Sequence, residues 1–128
     1  MPNKIVNPPE LGRPRGFSHA IVAQPAARTV HLAGQIGDGS TVTEQFDNAL
    51  ARLLAALRAC GGVPEDLVSL QVFVTDVAAY RAELKPLGNA WRKHFGNHYP
   101  AMGLFGIDAL FEPSAMVEVM GTAVLQSP

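Results

Sequence analysis

A single cysteine, Cys60, stands among 128 residues. That excludes an internal disulfide and a cysteine-rich zinc site, and such scarcity is typical of proteins kept in a reducing compartment. Charge is also sparse: 16% of residues are Asp, Glu, Lys or Arg, and ten basic against eleven acidic side chains leave a formal net charge of −1. Without a basic field there is nothing to gather a phosphate backbone or an anionic lipid surface, so neither nucleic acid nor membrane is an expected partner. No run approaches the roughly 18–20 apolar residues of a membrane span. The opening MPNKIVNPPELGRPRG has prolines at positions 2, 8, 9 and 14 and no apolar stretch, unlike a secretory signal. A cytoplasmic protein is expected.

What is present suffices for a packed core. Hydrophobic residues make up 48% of the chain, which suits one domain over 1–128 with an extended segment at 1–15. FSHAIVA (17–23) and RTVHLAGQI (28–36) read as strands joined by Gln24-Pro25-Ala26-Ala27, a hairpin connection. Thr41 and Glu44 form a capping box, and Phe46, Leu50, Leu53, Leu54, Leu57 and Cys60 then follow one helical face up to Gly61-Gly62. On that face Cys60 is expected to be a small buried hydrophobe. LVSLQVFVTD (67–76) alternates as a strand. A second helical region runs from Asp76 to Phe95, divided at Pro86, with Leu87, Trp91 and Phe95 as its buried stripe. YPAMGLFGID (99–108) is extended, and Glu112-Pro113-Ser114 turns into a final strand, 115–125. The order β-β-α-β-α-β-β predicts an α+β fold, a mixed sheet with two main helices on one face.

Several residue patterns suggest chemistry. His94 and His98 have the four-residue spacing of zinc ligands on a helix, but Gly96-Asn97 ends the helix between them, so no metal is expected. His19 and His31, on neighbouring strands, are expected to be solvated or hydrogen-bonded. Gly34, Gly37 and Gly39 match no phosphate-loop spacing and read as a turn. Arg92 and Lys93 read as a water-facing helix surface. Glu118 is different: in AMVEVMGTAVL (115–125) it is the one charge, with Met116 and Met120 two positions away on the same strand face. A carboxylate among such neighbours is costly unless it meets water or has a task.

Taken together, Gly16-Phe17-Ser18 with Ala20, Gly34-Gln35, the helix holding Gln45 and Leu50, the strand VFVTD (72–76), Asn89, Tyr99-Pro100-Ala101 and the V-E-V around Glu118 resemble the RidA/YjgF family, also labelled endoribonuclease L-PSP. The likeness spans roughly residues 12–125. It implies a chorismate mutase-like protomer, a homotrimer and three ligand clefts between subunits. Its better-known members hydrolyse reactive 2-imino or enamino acids to 2-keto acids and ammonia, without a cofactor. In them an arginine after Pro-Ala grips the substrate carboxylate, and a glutamate on the last strand helps position or activate water.

Glu118 falls on that glutamate, as the tentative catalytic residue. The arginine is replaced by Met102, a thioether that can neither donate a hydrogen bond nor neutralise an anion. Phe17, Ala33 and Leu104 stand where tyrosine, serine and a small or thiol residue are frequent. With Gly34, Asn89 and Gly103 they are the expected substrate-binding residues, and Arg13, Arg15 or His19 are candidate substitute cations. The resemblance thus implies a homotrimer binding a small, apolar or amine-bearing metabolite without arginine-dependent imine deamination. A second reading is an imine or enamine hydrolase of altered specificity using Glu118. Ribonuclease activity is the third, disfavoured by the charge balance and the lack of a basic aromatic platform.

Overall fold

The computed structural model describes residues 3–24 and 28–126. Strands β1 (Lys4–Val6), β2 (Ala20–Val22) and β3 (Arg28–Gln35) precede helix α1 (Val42–Ala59); β4 (Leu67–Val74) follows, then α2 (Val77–Ala82), α3 (Leu84–Phe95), β5 (Ala101–Gly106) and β6 (Val117–Leu125). The main sheet has the order β3-β6-β4-β5. β6 is antiparallel to both its neighbours, whereas β5 lies parallel to β4. This is the expected mixed sheet with its two main helices.

Local chemistry sets the ends of α1. The Thr41 amide donates to Glu44 Oε1 at 3.1 Å and the Glu44 amide to Thr41 Oγ1 at 3.1 Å, a reciprocal cap. At the other end the Gly62 amide reaches the Leu57 carbonyl at 3.0 Å and the Gly61 amide the Arg58 carbonyl at 2.9 Å. With Gly61 at φ 86°, this is a Schellman closure. Cys60 therefore leaves the helical face before it can reach the core. It is exposed, not buried as the periodicity suggested.

Phe46, Leu50, Leu53, Leu54 and Leu57 of α1 pack on β3 and β6, while Leu87, Trp91 and Phe95 carry α3 against α1. Pro86 is the third residue of α3, within the first turn, where a missing N–H leaves no bond unmade. Beneath the helices lie Leu70, Val72 and Val74 of β4 and Val117, Val119 and Ala123 of β6, all with no exposed surface. A register shift between Leu67 and Ser69 lets Leu67 join them. The opposite sheet face carries Gln71 and Phe73 beside Met120 and Glu118, then Gly103 and Phe105. There Phe105 is 48% and Met120 38% exposed.

The expected N-terminal hairpin does not form. β2 pairs antiparallel with β1, Lys4 opposite Val22 and Val6 opposite Ala20, and β3 pairs with β6 instead. Three residues with Ala20 and Val22 exposed offer no apolar face to the main sheet, whereas Val30 and Leu32 of β3 pair opposite Ala123 and Gly121. Most of the expected connection, residues 25–27, lies outside the described residues. Among the described residues, no helix is long and apolar enough to cross a membrane.

Candidate functional site

The motif Gly16-Phe17-Ser18 is held by its serine. Buried Ser18 donates its amide to the Pro100 carbonyl at 2.9 Å and its hydroxyl to the Tyr99 carbonyl at 2.5 Å, while bridging to Ala101. This clamp ties the chain before β2 to the start of β5. Gly16 makes the approach with φ 76°, a conformation side chains disfavour. Phe17 is thereby set at one wall of a groove of about 570 Å³, with Met102, Gly103 and Leu104 of β5 at another. Leu87 and Trp91 of α3, Phe46 of α1, Tyr80 of α2 and Tyr99 complete much of its apolar lining.

Trp91 is fixed in that wall by its indole N–H, which donates to the His98 carbonyl at 2.9 Å, and by stacking on Phe95 at 4.5 Å and Tyr99 at 6.0 Å. Tyr80 meets Phe46 edge to face. Burial pushes the Tyr80 phenol up to about 12, so it remains a neutral O–H at physiological pH.

Ala33, Gly34 and Glu118 are elsewhere, on the face of the sheet turned away from the helices. Leu32 opposes Gly121 and Gln35 opposes Val119, so Ala33 and Gly34 together face Met120 across a bulge. The bulge brings Gly34 under the Glu118 carboxylate: a Cβ there would lie 2.1 Å from Oε2. Only glycine admits the carboxylate at that depth. On its other side Glu118 opposes Phe73, which stacks on Phe105 at 5.7 Å. No ion pair or hydrogen bond reaches the Glu118 carboxylate among the described residues. Because Met102 pairs with core-facing Leu70 while Glu118 pairs with Phe73, the two side chains project from opposite sides of one sheet.

Asn89 is exposed on α3 and is not among the residues lining the groove; its Oδ1 accepts from Arg92 Nη2 at 2.5 Å. Of the candidate cations, Arg15 lines the groove, Arg13 lines a different surface hollow, and His19 uses Nε2 on the Gly12 carbonyl at 2.9 Å. Arg92 also lines the groove, instead of facing only water. The signal that could have found it is Gly88, one helical turn earlier, which leaves room for a guanidinium to lie back along α3. The histidines do not converge: His94 Nε2 meets Asp47 Oδ1 at 2.5 Å, and His98 Nε2 meets the Leu67 carbonyl at 2.7 Å. His19 lies in the bend before β2, outside both sheets, whereas His31 is on β3 of the main sheet.

The sequence pattern described as Endoribonuclease L-PSP matches residues 10–125. The chain belongs to this family, the RidA/YjgF family. Among solved structures, the Rid-family protein YyfB of Yersinia pestis, whose function is described as unknown, is 30% identical with a TM-score of 0.86; the match covers 98% of this chain and 100% of that one. A YjgF-family member from Mycobacterium tuberculosis is 27% identical over 96% of this chain and 99% of its own, with a TM-score of 0.68. RidA from an Antarctic Psychrobacter shares the fold at 22% identity and a TM-score of 0.66, covering 85% and 88% of the two chains. No curated protein sequence matches. This RidA/YjgF-family chain carries its groove and its Glu118 face as two separate surfaces.

Proposed function

We propose that this RidA/YjgF-family chain acts as a homotrimer binding a small metabolite in three clefts between subunits, each made from the groove of one protomer and the Glu118 face of the next. The division of the residues carries this reading. A carboxylate with no partner among the described residues lies beside Phe73, Phe105 and Met120 on a sheet face with exposed apolar side chains, while Phe17, Met102 and Leu104 lie on the helix side. A second copy laid over that face would remove apolar surface from water and close the groove. Hydrolysis of 2-imino acids through an arginine following Pro-Ala is not the expected chemistry, because Met102 occupies that place. Among the described residues no cation pairs with Glu118, which leaves its carboxylate available to a ligand and supports the second reading, an imine or enamine hydrolase of altered specificity.

Light scattering should give three times the 13.6 kDa chain mass. A monomer at micromolar concentration overturns the shared cleft. Release of keto acid from a 2-imino acid generated in situ should be weak for the wild type, higher for Met102→Arg and absent for Glu118→Ala. Robust wild-type turnover would reverse the choice between the two readings.

A further inference from the structure

We propose that a second hollow, between the β1–β2 ribbon and the turn that leads into β4, is a binding site for a primary ammonium carried on a short alkyl body. It lies apart from the groove and does not depend on the shared cleft. About 480 Å³ in volume, it is walled by Ile5 and Ile21, which pair across β1 and β2, by Gly61 and Val63 after α1, and by His98 beyond α3. Its polar lining is one-sided.

Asp66 lines the hollow although it is only 5% exposed. Its Oδ2 accepts the Val63 amide at 3.0 Å, and no ion pair reaches it among the described residues. A buried carboxylate without a counter-ion is costly, so a cation that supplies one is retained. Glu65 adds a second, exposed carboxylate, and among the described residues no lysine or arginine belongs to the lining. Arg28 comes near Gly61, its Nη2 3.8 Å from where a Cβ would stand, but is not part of the lining. Hydrogen bonding points the same way. Gln126 turns Nε2 to two acceptors, Asn3 Oδ1 at 2.8 Å and the Val124 carbonyl at 3.4 Å, which fixes its amide and leaves Oε1 buried without a partner. His98 Nε2 meets the Leu67 carbonyl at 2.7 Å and must carry a proton there, so Nδ1 of the neutral ring is an acceptor. The side-chain nitrogens that donate are thus already engaged within the chain, while acceptors stay open. A primary ammonium brings a positive charge and three N–H donors to that set, and Ile5, Ile21 and Val63 suit its alkyl body. An anion would meet two carboxylates.

Proton–nitrogen NMR titration of the full chain with 1-pentylamine, 1-pentanol and pentanoate tests the charge preference on one carbon frame. The amine should give saturable shifts at the Val63 and Asp66 amides and the Gln126 side-chain amide, binding at least about tenfold more tightly than the alcohol, and pentanoate should leave those signals unmoved. Asp66→Asn keeps an oxygen for the Val63 amide and should weaken the amine roughly tenfold. Glu65→Gln changes an exposed side chain, should weaken it roughly threefold, and serves as the test if Asp66→Asn does not fold by circular dichroism. Equal or tighter binding of pentanol or pentanoate, no saturable shift at Val63, Asp66 and Gln126, or unchanged amine affinity in every folded variant overturns the proposal. Shifts confined to Phe17, Met102 and Leu104 would place the amine in the groove and overturn it equally. The hollow belongs to one protomer, so a monomer in light scattering sinks the shared cleft and leaves this expectation standing.

Discussion

Replacing Gly88 by alanine should raise stability. The residue lies inside α3, where glycine costs about 0.5–1 kcal/mol relative to alanine. The nearest side-chain atoms to the new methyl would be those of the Arg92 guanidinium, at 3.3, 3.6 and 3.8 Å for Nη1, Nη2 and Cζ, and the flexible end of a side chain can give way by a few tenths of an ångström. The helix therefore keeps its propensity gain, about 2–5 °C in Tm for a chain of this size. The displaced guanidinium loosens its hold on Asn89, an exposed contact between residues three apart on the helix that offsets only about 0.2–0.5 kcal/mol. Thermal melts at one fixed protein concentration read the net effect, since any assembly would make Tm concentration-dependent. A lowered Tm would refute the placement of Arg92 over Gly88.

Gln45 offers a sharper test of the scaffold. Its Nε2 donates to the Gly39 and Ser114 carbonyls, each at 3.1 Å, and its Oε1 accepts the Met116 amide at 2.7 Å; Gln45→Leu should cost about 3 kcal/mol in chemical denaturation by leaving those groups unpaired. Asp47 responds to pH: burial works to raise its pKa, but hydrogen bonds from His94 and Lys93 and their charge outweigh this and hold it below the ordinary 3.8. A depressed carboxylate contributes stability that is present above the unfolded value and lost as pH falls through the folded one, so Asp47→Asn should flatten part of the stability decline below about pH 4. An acid limb identical to the wild type's would show that the Asp47 contacts contribute nothing.

Features written in neighbouring residues were legible from sequence. Thr41 with Glu44, and Gly61-Gly62, mark both ends of α1 because the groups they satisfy lie within a few residues. The alternation in β4 and β6 displays the buried face directly. Pairing was less legible: β2 has three residues and no half-buried periodicity, so nothing local tells it to choose β1 over β3. Cys60 misled because helical periodicity says nothing about the residue at which the chain leaves the helix. In the site, Phe17, Met102, Gly103 and Leu104 do share a groove, and Ala33, Gly34 and Glu118 a sheet face. Arg92 escaped notice because a basic residue beside Lys93 looks solvated. Its access to the groove depends on the missing side chain at Gly88 and on the reach of Asn89, four and three residues earlier on α3. The reading from sequence weighed Phe17, Ala33, Met102 and Leu104 together and named Arg13, Arg15 and His19 as substitute cations; of these Arg15 lines the groove.

The position of β6 has a consequence for biosynthesis. The ribosome makes this strand after β3, β4 and β5, yet it lies between β3 and β4. Until it emerges, β3 has no neighbour in the main sheet, and the underside of α1 has only part of its floor. The nascent chain must hold a greasy helix and unmatched strands open for a late arrival, so the core cannot close before β6 has left the ribosome, and the partly made polypeptide is its most vulnerable form.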